Sequence, residues 1–433
     1  MALGLDRVMG ALATLGNPER GIPAIHIAGT NGKGATAAFA SSILRAAGTR
    51  VGLYTSPHLS RPNERIAVDG KPIADADFAA AVSAVHDAAE PIGIDLTFFE
   101  VMTAAAFVAF RTAGVEAMVI EVGLGGRLDA TNVLDPAVAV VTSVSLDHVA
   151  ILGGTVAAIA REKAGIVKAG RPVVIAARDP EAVAAIESAA AAVGAPAFVI
   201  ERDARWIASR TGGFAIETSA PAPRLFVPDC VIPLAGSHQR DNAVAAALAV
   251  RIAFPATEPS AIRRGLGAAR WPGRSERLRA GGVEVLLDGA HNPGAARALA
   301  AAVREGAGAL RAQETGAHGA QGKPVVLFGA MRDKEAAEVL SALASLDARA
   351  VVCVAPAPGL ARSAPAAEMA VVARASLPGV PVEAAESVES GFTRALSLAR
   401  DGEGPGGMVV VTGSLYLVGR VRESLVGPPE AIG

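Results

Sequence analysis

At 433 residues the chain exceeds one ordinary hydrophobic core, so two or three domains are expected. Hydrophobic residues make up 51% of it and aromatics only 4%, so its cores must be packed from Ala, Val, Leu and Ile. Lys+Arg number 40 against 42 Asp+Glu; a net charge of -2 argues against a nucleic-acid or acidic-membrane partner, and any attraction for an anion must be local.

Short β-branched runs alternate with Ala-rich stretches of helical spacing, the pattern of a parallel sheet covered by helices. Strands are expected at Ile25 to Ala28, Val51 to Tyr54, Ala117 to Val122, Ala137 to Thr142, Val173 to Ala176 and Phe198 to Ile200. Helices are expected at Ala35 to Ala47, Phe98 to Thr112 and His238 to Ile252. From Arg210 to Pro233 the alternation and turn residues predict a small antiparallel element. Pro and Gly break the pattern at Arg270-Trp271-Pro272-Gly273-Arg274, which places a boundary there and domains at 1–272 and 273–433. A second series follows, with strands at Val283 to Leu287, Val325 to Phe328, Ala350 to Val354 and Met408 to Thr412. The segment Gly306 to Gly322, rich in Gly, Ala and Gln, predicts a flexible surface loop. The fold class expected is α/β: an N-terminal P-loop NTPase-like parallel-sheet domain and a smaller, Rossmann-like C-terminal domain.

Cys230 and Cys353 lie far apart and match no metal spacing, so reduced, buried thiols are expected. The N-terminus carries no basic-then-apolar signal, and apolar runs such as Val138 to Val144 fall far below the roughly 20 residues of a membrane span. A cytoplasmic protein with no membrane partner is expected.

The most informative stretch is Ile25-His26-Ile27-Ala28-Gly29-Thr30-Asn31-Gly32-Lys33-Gly34-Ala35-Thr36, a strand, a glycine turn and a helix start. Glycines let backbone N–H groups curl inward, the helix N-terminus adds partial positive charge, and Lys33 supplies a full charge for outer phosphates. A Gly-rich turn with a solvated lysine is the bland alternative. The stretch departs from the general phosphate-loop rule, because Gly34 stands where Ser or Thr would offer a hydroxyl to Mg²⁺.

Gly-Thr-Asn-Gly-Lys-Gly at 29–34 resembles the loop of the Mur ligase superfamily, and within it the folylpolyglutamate synthase branch. That branch carries Ser at the position of Ala35. Further strings carry the resemblance in order: Tyr54-Thr55-Ser56-Pro57-His58, Ser145-Leu146-Asp147-His148, Gly236-Ser237-His238-Gln239-Arg240-Asp241-Asn242, Asp288-Gly289-Ala290-His291-Asn292-Pro293, Phe328 to Lys334 and Thr412 to Tyr416. Glu121, His148 and Lys163 also keep the family's intervals of 27 and 15 residues.

The resemblance implies an ATP-dependent ligase that joins L-glutamate to dihydropteroate or folates through an acyl phosphate. It implies an ATP site at Gly29, Thr30, Asn31, Gly32, Lys33, Gly34, Ala35, Thr36, Asn242, Arg274 and Asp288. Two Mg²⁺ ions are implied on Ser56, Glu121, His148 and Lys163, the last as its carbamate. Lys33, His148, Lys163, Arg274 and His291 are the implied catalytic set, and Phe99, Asp129 and Ala130 the implied pterin site. A monomer is implied. Read alone, several of these residues have plainer roles: Ser56 a turn, Glu121 an exposed strand end, Phe99 a core position, Asp129 and Asp288 helix caps, Lys163 a solvated charge. Within the superfamily the loop sequence argues against a peptidoglycan-precursor ligase. A nucleotide switch or kinase would leave Asp288 to Pro293 unexplained, and a non-catalytic folate binder would need neither Lys33 nor Glu121.

Overall fold

The computed structural model describes residues 4–209, 212–313, 323–401 and 407–433. Its N-terminal sheet has eight strands: β1 (Ala24–Ala28), β2 (Val51–Tyr54), β3 (Ile66–Val68), β4 (Lys71–Pro72), β5 (Ala117–Glu121), β6 (Val138–Val141), β7 (Val173–Ile175) and β8 (Ala197–Val199). They lie in the order β4-β3-β2-β5-β1-β6-β7-β8. From β2 to β8 the pairings are parallel, and only the β2–β3–β4 edge is antiparallel.

Parallel strands require crossovers, and here helices supply them on both faces. β1 shows the consequence for sequence. Ile25 and Ile27 enter one core with Phe39 and Ile43 of the helix Lys33–Ala46 and with the helix Ser237–Ala253. Ala24 enters the opposite core with Tyr54 and with Phe107 and Phe110 of the helix Phe98–Ala113. Each such aromatic, fully buried, contributes roughly 1.5–3 kcal/mol over its exposed state.

A small antiparallel sheet, β9 (Ala204–Ala208), β10 (Phe214–Thr218) and β11 (Phe226–Cys230), packs beside the helix Ser237–Ala253. The C-terminal sheet holds β12 (Glu276–Ala280), β13 (Val283–Leu287), β14 (Val325–Phe328), β15 (Ala350–Cys353), β16 (Val382–Ala384) and β17 (Met408–Thr412), in the order β12-β13-β17-β14-β15-β16. Only the edge strand β12 is antiparallel. The chain then returns: Ile432 is buried in the N-terminal core, with its N–H on Gly70 O at 2.9 Å.

One expectation is corrected. The helix Pro293–Gln313 runs through positions 306–313, which were read as loop. Ala, Leu and Arg favour helix there, and two glycines cost only about 1 kcal/mol each. Positions 314–322 of that reading lie outside the described residues. Among the described residues no helix is long and apolar enough to cross a membrane, and both cysteines are buried free thiols.

Candidate active site

All parallel strands of a sheet end at one edge, so the residues that follow them converge there. Gly29 follows β1, Ser56 follows β2, Glu121 closes β5 and Thr142 follows β6. Gly29 takes φ +153, and a Cβ there would collide with the Thr142 hydroxyl. Thr142 Oγ1 donates to Asn31 O at 2.8 Å, and the Thr30 N–H donates to Ser143 O at 2.7 Å, so β6 holds the turn in shape. Gly32, at φ +90, opens the helix; a Cβ there would lie 2.6 Å from Asn242 Oδ1, which places the Asn242 amide directly on the loop. Gly34 has its own reason. The Trp271 indole packs on it so closely that any side chain would strike the ring. Lys33 Nζ donates to Gly29 O at 3.1 Å and Thr30 O at 3.3 Å, curled over the loop.

Glu121 is buried, and its Oε2 accepts the Ser56 N–H at 3.1 Å. Burial raises its pKa, opposed by the charges of Lys33 and Arg274. Lys163 is only 4% exposed, and its Nζ donates to Gly29 O at 2.9 Å. Burial, and then the Lys33 charge, bring its pKa down to about 7. Its place is set by Gly126, where a Cβ would come within 2.7 Å of the Glu162 and Lys163 carbonyls. His148, at φ 51 and with its side chain partly exposed, stands beside Asp147; partial desolvation holds its pKa below the usual imidazole range.

The C-terminal domain presents its own converging edge. Asp288 follows β13, and its carboxylate accepts from Ser275 N at 2.8 Å, Ser275 Oγ at 3.1 Å and Ala290 N at 3.0 Å. Asp288 therefore ties the linker to the turn that carries His291. His291 Nδ1 donates to Gly289 O at 2.9 Å, which leaves Nε2 as the acceptor, and burial lowers its pKa to about 4. At neutral pH this ring is uncharged. Burial lowers the Arg274 pKa, with Asp288 and Glu121 opposing. One open cleft is lined by residues 29–35, Ser56, Glu121, His148, Lys163, Asn242, Arg274, Asp288 and His291 together.

Four expected site residues lie elsewhere. Thr36 is buried in the helix, and its hydroxyl makes no hydrogen bond. Asp129 lies under the cleft wall. Its Oδ2 accepts from Gly123 N at 3.0 Å and Leu124 N at 2.9 Å, and its Oδ1 from Thr131 N at 3.0 Å and Thr131 Oγ1 at 2.5 Å. Those four bonds fill the acceptor sites of a carboxylate, so Asp129 shapes the Gly123–Leu124 turn. Ala130 is buried at the start of the following 3₁₀ turn. Phe99 is half-buried against Gly123, with its ring 6.1 Å from that of Tyr54. Conversely, Asp147, His238, Gln239, Trp271 and Ser275 line the cleft without having been singled out. All five lie inside or directly beside quoted strings, but nothing in the text of the sequence says which string members face inward.

The Mur ligase middle domain matches residues 27–250, and the Mur ligase glutamate ligase domain matches residues 273–415. A folylpolyglutamate synthase of Lacticaseibacillus casei is 34% identical over 97% of this chain and 94% of its own length. The chain belongs to the folylpolyglutamate synthase/dihydrofolate synthase branch of the Mur ligases. A Mycobacterium tuberculosis folylpolyglutamate synthase complexed with ADP and AMPPCP superposes with a TM-score of 0.86, at 32% identity over 98% of this chain and 96% of that one. A Yersinia pestis bifunctional synthase complexed with AMPPNP and Mn ion gives 0.83 at 31% identity, covering 98% and 94%. The chain spans only 49% of a Halobacterium salinarum relative named as a probable bifunctional folylpolyglutamate synthase/dihydropteroate synthase.

The Yersinia pestis synthase is complexed with AMPPNP and Mn ion, and the donor set in the cleft of this chain fits a divalent cation. Among the described residues no group of three or more His, Cys, Asp or Glu side chains is placed to hold a metal. Glu121, buried and without an ion pair among the described residues, and the neighbouring Ser56 form a sparse oxygen set. Such a set suits Mg²⁺, which is commonly held by one or two carboxylates plus phosphate oxygens and water. Lys163 as a free amine is no ligand.

Proposed function

We propose that this Mur ligase joins L-glutamate to the free carboxylate of dihydropteroate and of reduced folates. A carboxylate oxygen attacks the γ-phosphorus of ATP, the bond to the bridging oxygen breaks, and ADP leaves. The glutamate amine then attacks the acyl carbon, the bond to phosphate breaks, and the amine gives up a proton as the amide forms.

The reading rests on one observation above the rest: Lys33 of the N-terminal domain and Arg274 beyond the linker line a single cleft, and both act on Glu121. Lys33 and Arg274 would offset charge on the transferring phosphoryl group, Arg274 through its planar fork. Asn242 and Asp288 would hold the nucleoside, and His291 would stand beside the reacting phosphate. Ser56, Glu121 and His148 would hold Mg²⁺, whose chemistry is charge neutralisation at the phosphates. A carbamate on Lys163 would add an oxygen ligand; burial favours it by keeping much of the amine neutral near pH 7. The pterin would lie by Phe99 and the Gly123–Leu124 turn that Asp129 and Ala130 support. Division of the chain at 272/273, a monomeric state and a cytoplasmic location belong to the same proposal.

The test is ADP release with dihydropteroate and with tetrahydrofolate, each with and without L-glutamate. Release that requires glutamate on both acceptors supports a bifunctional ligase. Release that ignores glutamate would contradict it.

A further inference from the structure

The two walls of the cleft are joined by side-chain contacts that are not themselves part of the ligation chemistry. Asn31, on the phosphate loop, and Asn292, immediately before the helix Pro293–Gln313, exchange amide hydrogen bonds. Asn292 Nδ2 donates to Asn31 Oδ1 at 2.9 Å, and Asn31 Nδ2 donates to Asn292 Oδ1 at 3.3 Å. The same Asn292 oxygen accepts the Ala295 N–H at 2.8 Å, capping the helix, while its Nδ2 also reaches Asp147 Oδ2 at 3.2 Å. The other Asp147 oxygen lies 3.6 Å from Lys334 Nζ, in an ion pair whose side chains are 14% and 16% exposed.

Asn31 and Asp147 belong to the N-terminal domain and line the cleft; Asn292 and Lys334 follow β13 and β14 of the other domain and do not. The network is specific in direction. Two primary amides can exchange a donor and an acceptor only in one mutual orientation, and Asn292 is itself fixed by its helix cap. Any tilt of the C-terminal domain is therefore felt at Asn31, which Ser143 holds from below. An ion pair screened this far from water holds more firmly than a surface pair.

We propose that Asn292 and Lys334 are positioning residues that latch the C-terminal domain onto the phosphate loop and the Asp147–His148 turn, fixing the register in which Arg274 and His291 face Lys33. This rests on the ligase reading of the cleft. Misplacing reacting groups by about 1 Å can cost about 100-fold in rate, so two links that touch no reacting atom can govern turnover.

The experiment uses the full chain with spin labels on Ala191→Cys and Ala375→Cys, exposed helical positions in the two domains; native Cys230 and Cys353 are buried. Lys334→Gln removes the charge, Lys334→Arg keeps it, and Asn292→Ser keeps a helix cap while deleting the amide exchange. Lys334→Gln and Asn292→Ser are each expected to broaden the interdomain distance distribution. Each should also lower kcat for glutamate-dependent ADP release about tenfold, with ATP affinity unchanged. Lys334→Arg should restore both. A distance distribution identical to that of the unsubstituted chain would overturn the latch. So would a loss confined to the KM for glutamate, which would make Lys334 a substrate contact. If the unsubstituted chain releases no ADP in response to glutamate, the ligase reading fails, while the distances still decide the latch.

Discussion

The two walls of the cleft are built on different principles. On the N-terminal side the backbone does the shaping: Gly29, Gly32 and Gly34 are each required by a specific neighbour, and Lys33 is curled over the turn they make. On the C-terminal side the backbone turn carrying His291 is held by a side chain, Asp288, which also ties it to the linker at Ser275. On the proposed reading, phosphate binding would be a local property of one loop, whereas the facing of Arg274 and His291 toward it would depend on long-range contacts between domains. The comparison predicts that lesions in the first wall abolish nucleotide chemistry outright, and lesions in the second misalign it.

The largest expected effect is at Lys33. Lys33→Ala should lower glutamate-dependent ADP release by about 1000-fold, measured under saturating ATP and glutamate; activity near that of the unsubstituted chain would place the phosphates elsewhere. Arg274→Lys should cost about 100-fold despite keeping the charge, because the bidentate fork is lost, and a negligible loss would mean the second wall supplies only charge. Gly34→Ala should destabilise the fold by about 1–3 kcal/mol in a denaturant titration, through collision with the Trp271 ring. Gly34→Ala combined with Trp271→Leu should recover part of that stability, and failure to recover would remove Trp271 as the cause. Asp129→Asn, which loses acceptor capacity for the Gly123, Leu124 and Thr131 N–H groups, should cost about 1–3 kcal/mol and raise the KM for the pterin acceptor more than that for ATP. Equal changes in both would separate that turn from the acceptor site.

Lys163 contributes one pH dependence: burial, and then the Lys33 charge, bring its pKa from 10.5 down to about 7. The folded chain binds fewer protons there than the unfolded chain between about 7 and 10.5. The group therefore opposes folding fully below about 7, and less as pH rises toward 10.5. Only the neutral amine adds CO₂, so at fixed dissolved CO₂ the carbamylated fraction should climb as pH passes through about 7. Intact-mass measurement after rapid trapping reads it, and a flat profile would leave the lysine free.

Much of the fold was legible because buried strands are written as short, mostly apolar, β-branched runs. Val51–Tyr54, Val283–Leu287, Val325–Phe328 and Met408–Thr412 occupy the residues expected of them. The phosphate loop was legible because its geometry is local. Contacts that depend on distant parts meeting were not: Trp271 on Gly34, Asn292 on Asn31, Lys334 on Asp147. Asp129 illustrates the same limit from the other side. The family resemblance implies a pterin contact there, whereas the plainer reading of its neighbours, a cap, is what the folded turn shows, its oxygens consumed from within.

Cooperation of the two walls on one phosphoryl group is tested most directly by a double-mutant cycle between Lys33→Ala and Arg274→Ala, read as single-turnover ADP formation with glutamate and acceptor saturating. Strong non-additivity is expected, the double variant being scarcely slower than Lys33→Ala alone. Losses that simply multiply would mean the two cations serve separate sites, and the shared cleft would not be where the chemistry occurs.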